Sequence, residues 1–320
     1  MTCTCRGVWG HRRSRARTGP YIIEGEFMLR FREALEAGKF VITAELEPPK
    51  GADLTAVINQ AKPLVGLVQG VNVTDNQTAV MRMCPLAVCQ SLLGLGLDTI
   101  MQITVRDRNR MALQSDLLGA HALGIRNILS LTGDPLKVGD HKEAKPVFDL
   151  ESTQILEVIG LLNRAKDFAG NDLVGSTDLW GGAAASPDAP DQALEIAKFE
   201  KKIACGAKFF QTQGVYDPLS FEKFMSTVSK FKTKILAGII VLKSAKMAEY
   251  MNKNIPGIKV PEPLVEELRA AADKEQAIQV GIDIAARTIK TVRSMCNGVH
   301  IMAVGMRERV PEIIQKAGLA

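Results

Sequence analysis

The chain has 320 residues, 46% hydrophobic and 23% charged, with a net charge of +5. That is globular composition, and the length suits one large α/β barrel or two smaller domains. No apolar run reaches the roughly 18 residues that suggest a membrane span, and the basic excess forms no nucleic-acid-binding stripe.

Residues 1–27 hold much of the positive charge, with Arg6, Arg12, Arg13, Arg15 and Arg17 set against Glu24 and Glu26. The segment lacks the apolar centre of a secretory signal and reads as a disordered basic extension. Met28 then opens a chain that could stand alone, and residues 28–320 read as one catalytic domain without an internal linker.

From residue 40 onward, apolar runs rich in β-branched residues alternate with helical stretches. The predicted strands are FVITAEL (40–46), GVNVT (70–74), TIMQITV (99–105), RNILSLT (126–132), DLVGST (172–177), AKFFQTQ (207–213), KILAGII (234–240) and VHIMAVG (299–305). Their apolar character is nearly continuous, as in parallel strands buried on both faces. Helices are predicted over 109–124, 191–206, 218–231 and 244–253. In the second, Leu194, Ala197, Ile203 and Ala204 mark the inner face. Residues 259–295 add about two extra helices before the last strand. This alternation predicts an α/β fold of the (β/α)8 TIM-barrel type. The rival, a doubly wound open sheet, usually carries a glycine fingerprint after its first strand, and none follows residues 40–46.

The six cysteines form no C-x-x-C pair, and the four histidines lack metal-ligand spacing. Reduced thiols in a cytoplasmic protein without a metal centre are the expectation.

In such a barrel the active site gathers at the C-terminal ends of the strands. Strand one ends on Glu45 and Glu47, strand two on Thr74-Asp75-Asn76, and strand three on Thr104 through Asn109. Strand four ends on Thr132-Gly133-Asp134 and strand six on Gln211 and Gln213. Asp134 also suits a Gly-Asp-Pro turn, and His300 reads as a hydrogen-bonded core histidine. Gln213 stands out, because an unpaired buried amide is costly. Carboxylates and amides without a metal suit proton transfer and heterocycle binding.

The string E-L-E-P-P (45–49), followed by VNVTDN, ITVRDRNR, GIRNILSLTGDPL, KKIACGAKFFQTQ and GVHIMAV, resembles the methylenetetrahydrofolate reductase family. The likeness runs from about residue 28 to 320. It implies a (β/α)8 barrel holding FAD without a covalent bond and reducing 5,10-methylenetetrahydrofolate to 5-methyltetrahydrofolate. It further implies that Glu45 is the general acid that opens the folate's five-membered ring; a carboxyl in a dry site can hold the proton this needs if burial raises its pKa. Asp134 and Gln213 would bind the substrate. Thr74, Gln102, Thr132, Gly133, Asp134, Glu195 and Lys202 occupy flavin-contact positions, and Glu47 has no assigned role.

The chain departs from the family pattern at several positions. Gln102 stands where histidine is frequent and Thr132 where arginine is usual. WGGAAASP (180–187), read as the fifth βα loop, lacks the family's tyrosine. Ala245 replaces an aromatic, and Met306 or Arg307 takes the place of an arginine. These changes leave FMN or no flavin as alternatives to FAD, and NADH, NADPH or a partner redox protein as the electron donor. A non-catalytic folate-binding subunit of a redox complex is a third reading, and homo-oligomer formation is left open.

Overall fold

The computed structural model describes residues 30–319; the basic extension and the start at Met28 lie outside the described residues. Eight strands form a closed barrel in sequence order, each parallel to its neighbours. They are β1 (Val41–Leu46), β2 (Gly70–Val73), β3 (Thr99–Thr104), β4 (Asn127–Leu131), β5 (Trp180–Ala185), β6 (Phe209–Gly214), β7 (Lys234–Ile240) and β8 (Gly298–Met302). The helices before β5 are α1 (Phe31–Glu36), α2 (Thr55–Ala61), α3 (Pro85–Gly94), α4 (Arg110–Ala122) and α5 (Ser152–Leu162). Those after it are α6 (Gln192–Ala204), α7 (Pro218–Val228), α8 (Ala245–Asn254), α9 (Glu262–Arg269), α10 (Lys274–Val292) and α11 (Val310–Lys316). No helix among the described residues is long and apolar enough to cross a membrane.

The fifth strand differs from the expectation. It is Trp180–Ala185, the stretch read as a loop, whereas residues 172–177 belong to the connection before it and contribute only an isolated antiparallel bridge at Asp172. Glycine and alanine have low strand propensity, so WGGAAA resembles a turn. Packing explains their presence. A Cβ on Gly182 would lie 2.3 Å from the Phe209 ring. The small residue on β5 makes room for the large one on β6.

Side chains alternate along each strand, so Val41, Thr43 and Glu45 share the inner face of β1 while Ile42, Ala44 and Leu46 face the helices. The interior changes character along the barrel axis. At the N-terminal end Val41, Ile100, Leu129, Trp180, Phe209 and Leu236 form an apolar plug with Phe31 of α1. Trp180 stacks on Phe209 at 5.0 Å, and the Phe31 ring meets both edge-on. Burying each such side chain contributes roughly 1.5–3 kcal/mol. Above the plug the filling turns polar, with Thr43, Asn72, Gln211 and His300 all buried. A hydrogen bond there contributes only about 0.5–1.5 kcal/mol net. Apolar side chains would fill that level at least as well, so stability does not account for the polar layer.

The two extra helices expected over 259–295 are α9 and α10, and α8 matches the helix predicted over 244–253. Helix α10 packs on β7 and α7 and serves as the barrel wall. Its Gly281 lies against the Leu242 carbonyl so closely that a Cβ would sit 1.6 Å from that oxygen.

Replacing Gly182 with alanine is expected to cost about 1–3 kcal/mol, as the added methyl displaces the Phe209 ring. Gly94→Ala, whose Cβ meets nothing within 4 Å, is the control and is expected to leave stability unchanged or raise it. Denaturant midpoints check this; equal losses in both variants would remove the packing explanation.

Candidate active site

Glu45 ends the inner face of β1 and is 6% exposed. Three side chains surround its carboxylate. Gln77 donates to Oε1 at 3.3 Å, and Gln102 of β3 donates to Oε2 at 3.3 Å. His300 of β8 places Nε2 at 3.6 Å from Oε2, an ion-pair distance. Behind it, His300 Nδ1 lies 3.0 Å from Thr43 Oγ1. His300 is therefore hydrogen-bonded and buried, as its sequence context suggests, but it also faces the candidate acid.

Burial pushes the Glu45 carboxyl up, but His300, Gln77 and the positive charge of Arg307 outweigh that effect and hold it below its ordinary value of 4.5. The condition that burial raise this carboxyl's pKa is not met. The desolvation is real, but the cationic and donor partners reverse its result.

The outer side of the mouth is a set of interlocked loops. Asp134 lies in the loop after β4, and its carboxylate accepts the Thr78 N–H at 2.7 Å from the loop after β2. Asp140 likewise accepts the Met81 N–H at 3.0 Å and pairs with Lys50. Arg106, buried at the end of β3, donates to the carbonyls of Asp134 at 3.1 Å and Asn76 at 3.2 Å, and pairs with Asp107. Asn76, Thr78 and Ala79 all have positive φ in this segment. Few non-glycine residues adopt that conformation, and these are held in it by the loop contacts. Gly133 (φ +93°) permits the close approach of the β4 loop: a Cβ there would lie 2.9 Å from that of Arg106.

Glu47, given no role from sequence, pairs with Arg82 at 2.9 Å and Arg307 at 3.3 Å. Of the two candidates for the family's arginine, Arg307 reaches the mouth, and Met306 is buried in the core.

Beside the mouth, between β4, β5, α5 and α6, lies a cavity of about 600 Å³. Thr132, Glu195 and Lys202 line it, together with Phe148, an aromatic the sequence reading passed over. Phe148 has φ +42° and is half-exposed. Its signal in the sequence is faint, because VFDLES looks like any approach to a helix. Glu195 accepts the Ser186 N–H at 2.8 Å and is buried, as is Phe199, whereas Leu194 is exposed. Helix α6 is thus turned from the predicted face, and the turn points Glu195 inward. Lys202 donates to the Ala184 carbonyl at 2.7 Å; burial lowers its pKa, with Glu195 opposing.

Thr74 Oγ1 is buried with no hydrogen-bond partner among the described residues. Gln213 is half-buried at the top of β6, and its amide has no protein partner among them. The structure thus sets Glu45, Thr74, Gln102, Asp134 and Gln213 at the C-terminal ends of their strands, and puts Thr132, Glu195 and Lys202 on the adjoining cavity. Among the described residues no group of three or more His, Cys, Asp or Glu could hold a metal ion.

The family model for methylenetetrahydrofolate reductase matches residues 30–318. This chain belongs to that family. It is 25% identical over 234 residues to methylenetetrahydrofolate reductase 2 of Schizosaccharomyces pombe, covering 68% of this chain and 35% of that protein. It is 24% identical over 232 residues to a probable methylenetetrahydrofolate reductase (NADPH) of Caenorhabditis elegans, covering 70% of this chain and 33% of that one. The chain therefore spans about a third of the length of these curated relatives. A solved structure described as an uncharacterized Clostridium thermocellum protein that binds two copies of 5-methyl-5,6,7,8-tetrahydrofolic acid shares the fold. Its TM-score is 0.58 at 18% identity, with 90% of this chain and 96% of that one covered. Gln102, which stands where the family resemblance expects histidine, donates to Glu45. The missing tyrosine falls in the stretch that forms β5 and the turn after it, while Phe148 brings an aromatic to the same cavity from the preceding loop.

A carboxyl whose folded pKa is depressed stabilises the protein above its unfolded pKa, and this stability is lost as pH falls through the folded value. Wild-type protein is therefore expected to be more stable than Glu45→Gln at pH 7, with the gap closing below about 4.5. Denaturant titrations of both proteins at neutral and acidic pH test this, and a gap that stays constant contradicts the direction of the shift.

Proposed function

We infer that this chain reduces 5,10-methylenetetrahydrofolate to 5-methyltetrahydrofolate at the C-terminal mouth of its barrel, with residues 28–320 forming the catalytic domain. The observation that carries the reading is Glu45, a buried carboxylate beside His300 at the end of β1, in a chain whose family model spans the barrel.

The residues present fit a flavin. Thr74 Oγ1 is a buried hydroxyl lacking a partner, which costs about 1–3 kcal/mol until a ligand supplies one. Gly133 keeps the β4 loop free of a Cβ, and the cavity of about 600 Å³ adjoins the mouth. Thr74, Gln102, Thr132, Gly133, Asp134, Glu195 and Lys202 would hold FAD. When bound, FAD supplies a carrier that takes hydride from NADH or NADPH and delivers it to the folate's methylene carbon.

The protein's part is binding and proton transfer. Gln213 offers its unpaired amide to the pterin ring. Asp134 stands across the mouth with its backbone held by Arg106. Glu45 gives a proton to the departing folate nitrogen, so that the ring opens to the reactive iminium. Because its partners hold the pKa of Glu45 below the ordinary value, the proton must first reach it, and His300 Nε2 stands 3.6 Å away. Hydrogen bonds of this kind commonly tighten to roughly 2.6–3.2 Å when the substrate arrives.

The purified protein is expected to be yellow, to bleach anaerobically with NADH or NADPH, and to recover its colour with methylenetetrahydrofolate. A colourless protein that still turns over points to direct hydride transfer from the nicotinamide. Activity restored only by a redox protein makes that protein the donor. Glu45→Gln is expected to lower turnover by about 10²–10⁴-fold; unchanged turnover removes Glu45 from the chemistry.

A further inference from the structure

The polar layer beneath Glu45 contains a contact that neither the stability of the barrel nor ligand binding at the mouth explains. Asn72 on β2 and Gln211 on β6 stand on opposite sides of the closed barrel, and their side chains meet in its interior. The pairing is reciprocal. Asn72 Nδ2 donates to Gln211 Oε1 at 2.6 Å, and Gln211 Nε2 donates back to Asn72 Oδ1 at 2.9 Å. The remaining hydrogen of Gln211 Nε2 is directed at Thr43 Oγ1, 3.3 Å away.

That third bond constrains Thr43. Its oxygen already accepts from Gln211, so its own hydrogen must go elsewhere. Two acceptors are in reach: His300 Nδ1 at 3.0 Å and the Val299 carbonyl at 3.4 Å. When the hydroxyl donates to Nδ1, neutral His300 carries its hydrogen on Nε2, aimed at Glu45. When the hydroxyl turns to Val299, its oxygen can accept a hydrogen from Nδ1, which suits the imidazolium. Both states leave every group in the chain satisfied, so little is lost in passing between them.

We propose that the Asn72–Gln211 amide pair is a positioning device. By holding the Thr43 hydroxyl between His300 and the Val299 carbonyl, it lets His300 exchange a proton with Glu45 without leaving a buried polar atom unpaired. This rests on the proposed proton transfer from Glu45. The balance is simple. The imidazolium gives its Nε2 proton to Glu45 Oε2, Glu45 passes it to the folate nitrogen, and His300 is left neutral with hydrogen on Nδ1, donating to Thr43. A proton from solvent restores the imidazolium. The charged groups facing Glu45 are His300 and Arg307, and Arg307 is itself paired with Glu47. Asn72 is the register partner of Glu45 on the neighbouring strand, but neither Asn72 nor Gln211 makes a side-chain hydrogen bond to Glu45 or His300, so their effect on His300 runs through Thr43.

The test uses the full chain labelled with ¹⁵N-histidine, in which the His300 signal is the one lost in His300→Gln. Two variants are compared with wild type. Gln211→Met removes the donor to Thr43. Asn72→Leu with Gln211→Met removes both polar partners, leaves no orphaned amide, and decides the matter if the single variant fails to fold. Resting wild-type His300, when neutral beside the Glu45 carboxylate, is expected to carry its hydrogen on Nε2, the Nδ1–H form being the transient left by proton transfer; both variants are expected to shift the resting form toward a mixture with Nδ1–H. In the reduction assay kcat is expected to fall by about tenfold, with KM changing less than about twofold and the pH profile displaced. A folded variant with unchanged tautomer and titration of His300 overturns the proposal, as does a loss carried by KM alone. If the wild type itself fails to reduce methylenetetrahydrofolate, the proposed function falls, and the tautomer measurement, which needs no substrate, still decides the positioning role.

Discussion

A carboxylate removed from water must be compensated, and at Glu45 the compensation comes from parts of the chain that are distant in sequence. His300 arrives on β8, Gln102 on β3, and Gln77 from the loop after β2. Without them, burial would drive the group to its neutral form. With them its pKa is held below the ordinary carboxylate value, and the group stands 3.6 Å from a histidine. The rest of the barrel can be understood as the framework that brings these side chains to one point.

The axial gradient of the interior serves that purpose. The aromatic plug at the N-terminal end stabilises the barrel through burial and asks little of hydrogen bonding. That leaves the upper levels free to carry polar groups whose net contribution to stability is small. Thr43, Asn72, Gln211 and His300 occupy the middle level, and Glu45 and Thr74 sit nearer the mouth. Outside, Arg106, Asp134 and Asp140 tie the loops after β2 and β4 together. Gln77, whose neighbours adopt strained backbone conformations, is carried over Glu45 by the first of these loops.

Much of the architecture was legible in the linear sequence, because parallel strands covered by helices must be apolar along their length. Seven of the eight strand positions follow from runs such as FVITAEL and KILAGII. The fifth did not, because Gly182 answers to Phe209 on the neighbouring strand and not to its own strand propensity. The inward turn of α6 was hidden for a similar reason: Glu195 finds its partner in the Ser186 backbone, which the helix pattern does not reveal. Glu45 stood out through the stiff E-L-E-P-P corner, and Gln213 through the oddity of an amide ending an apolar strand.

By itself the sequence determined the barrel class, the family, and the strand ends at which polar residues collect, since these depend on local periodicity and short motifs. Only the tertiary structure decided the direction in which the Glu45 pKa moves, the role of Glu47 in a pair with Arg82 and Arg307, and the meeting of Asn72 with Gln211. The physical reason is shared by all three. Each depends on the distance between groups that are far apart in the chain, and closure of the barrel sets those distances.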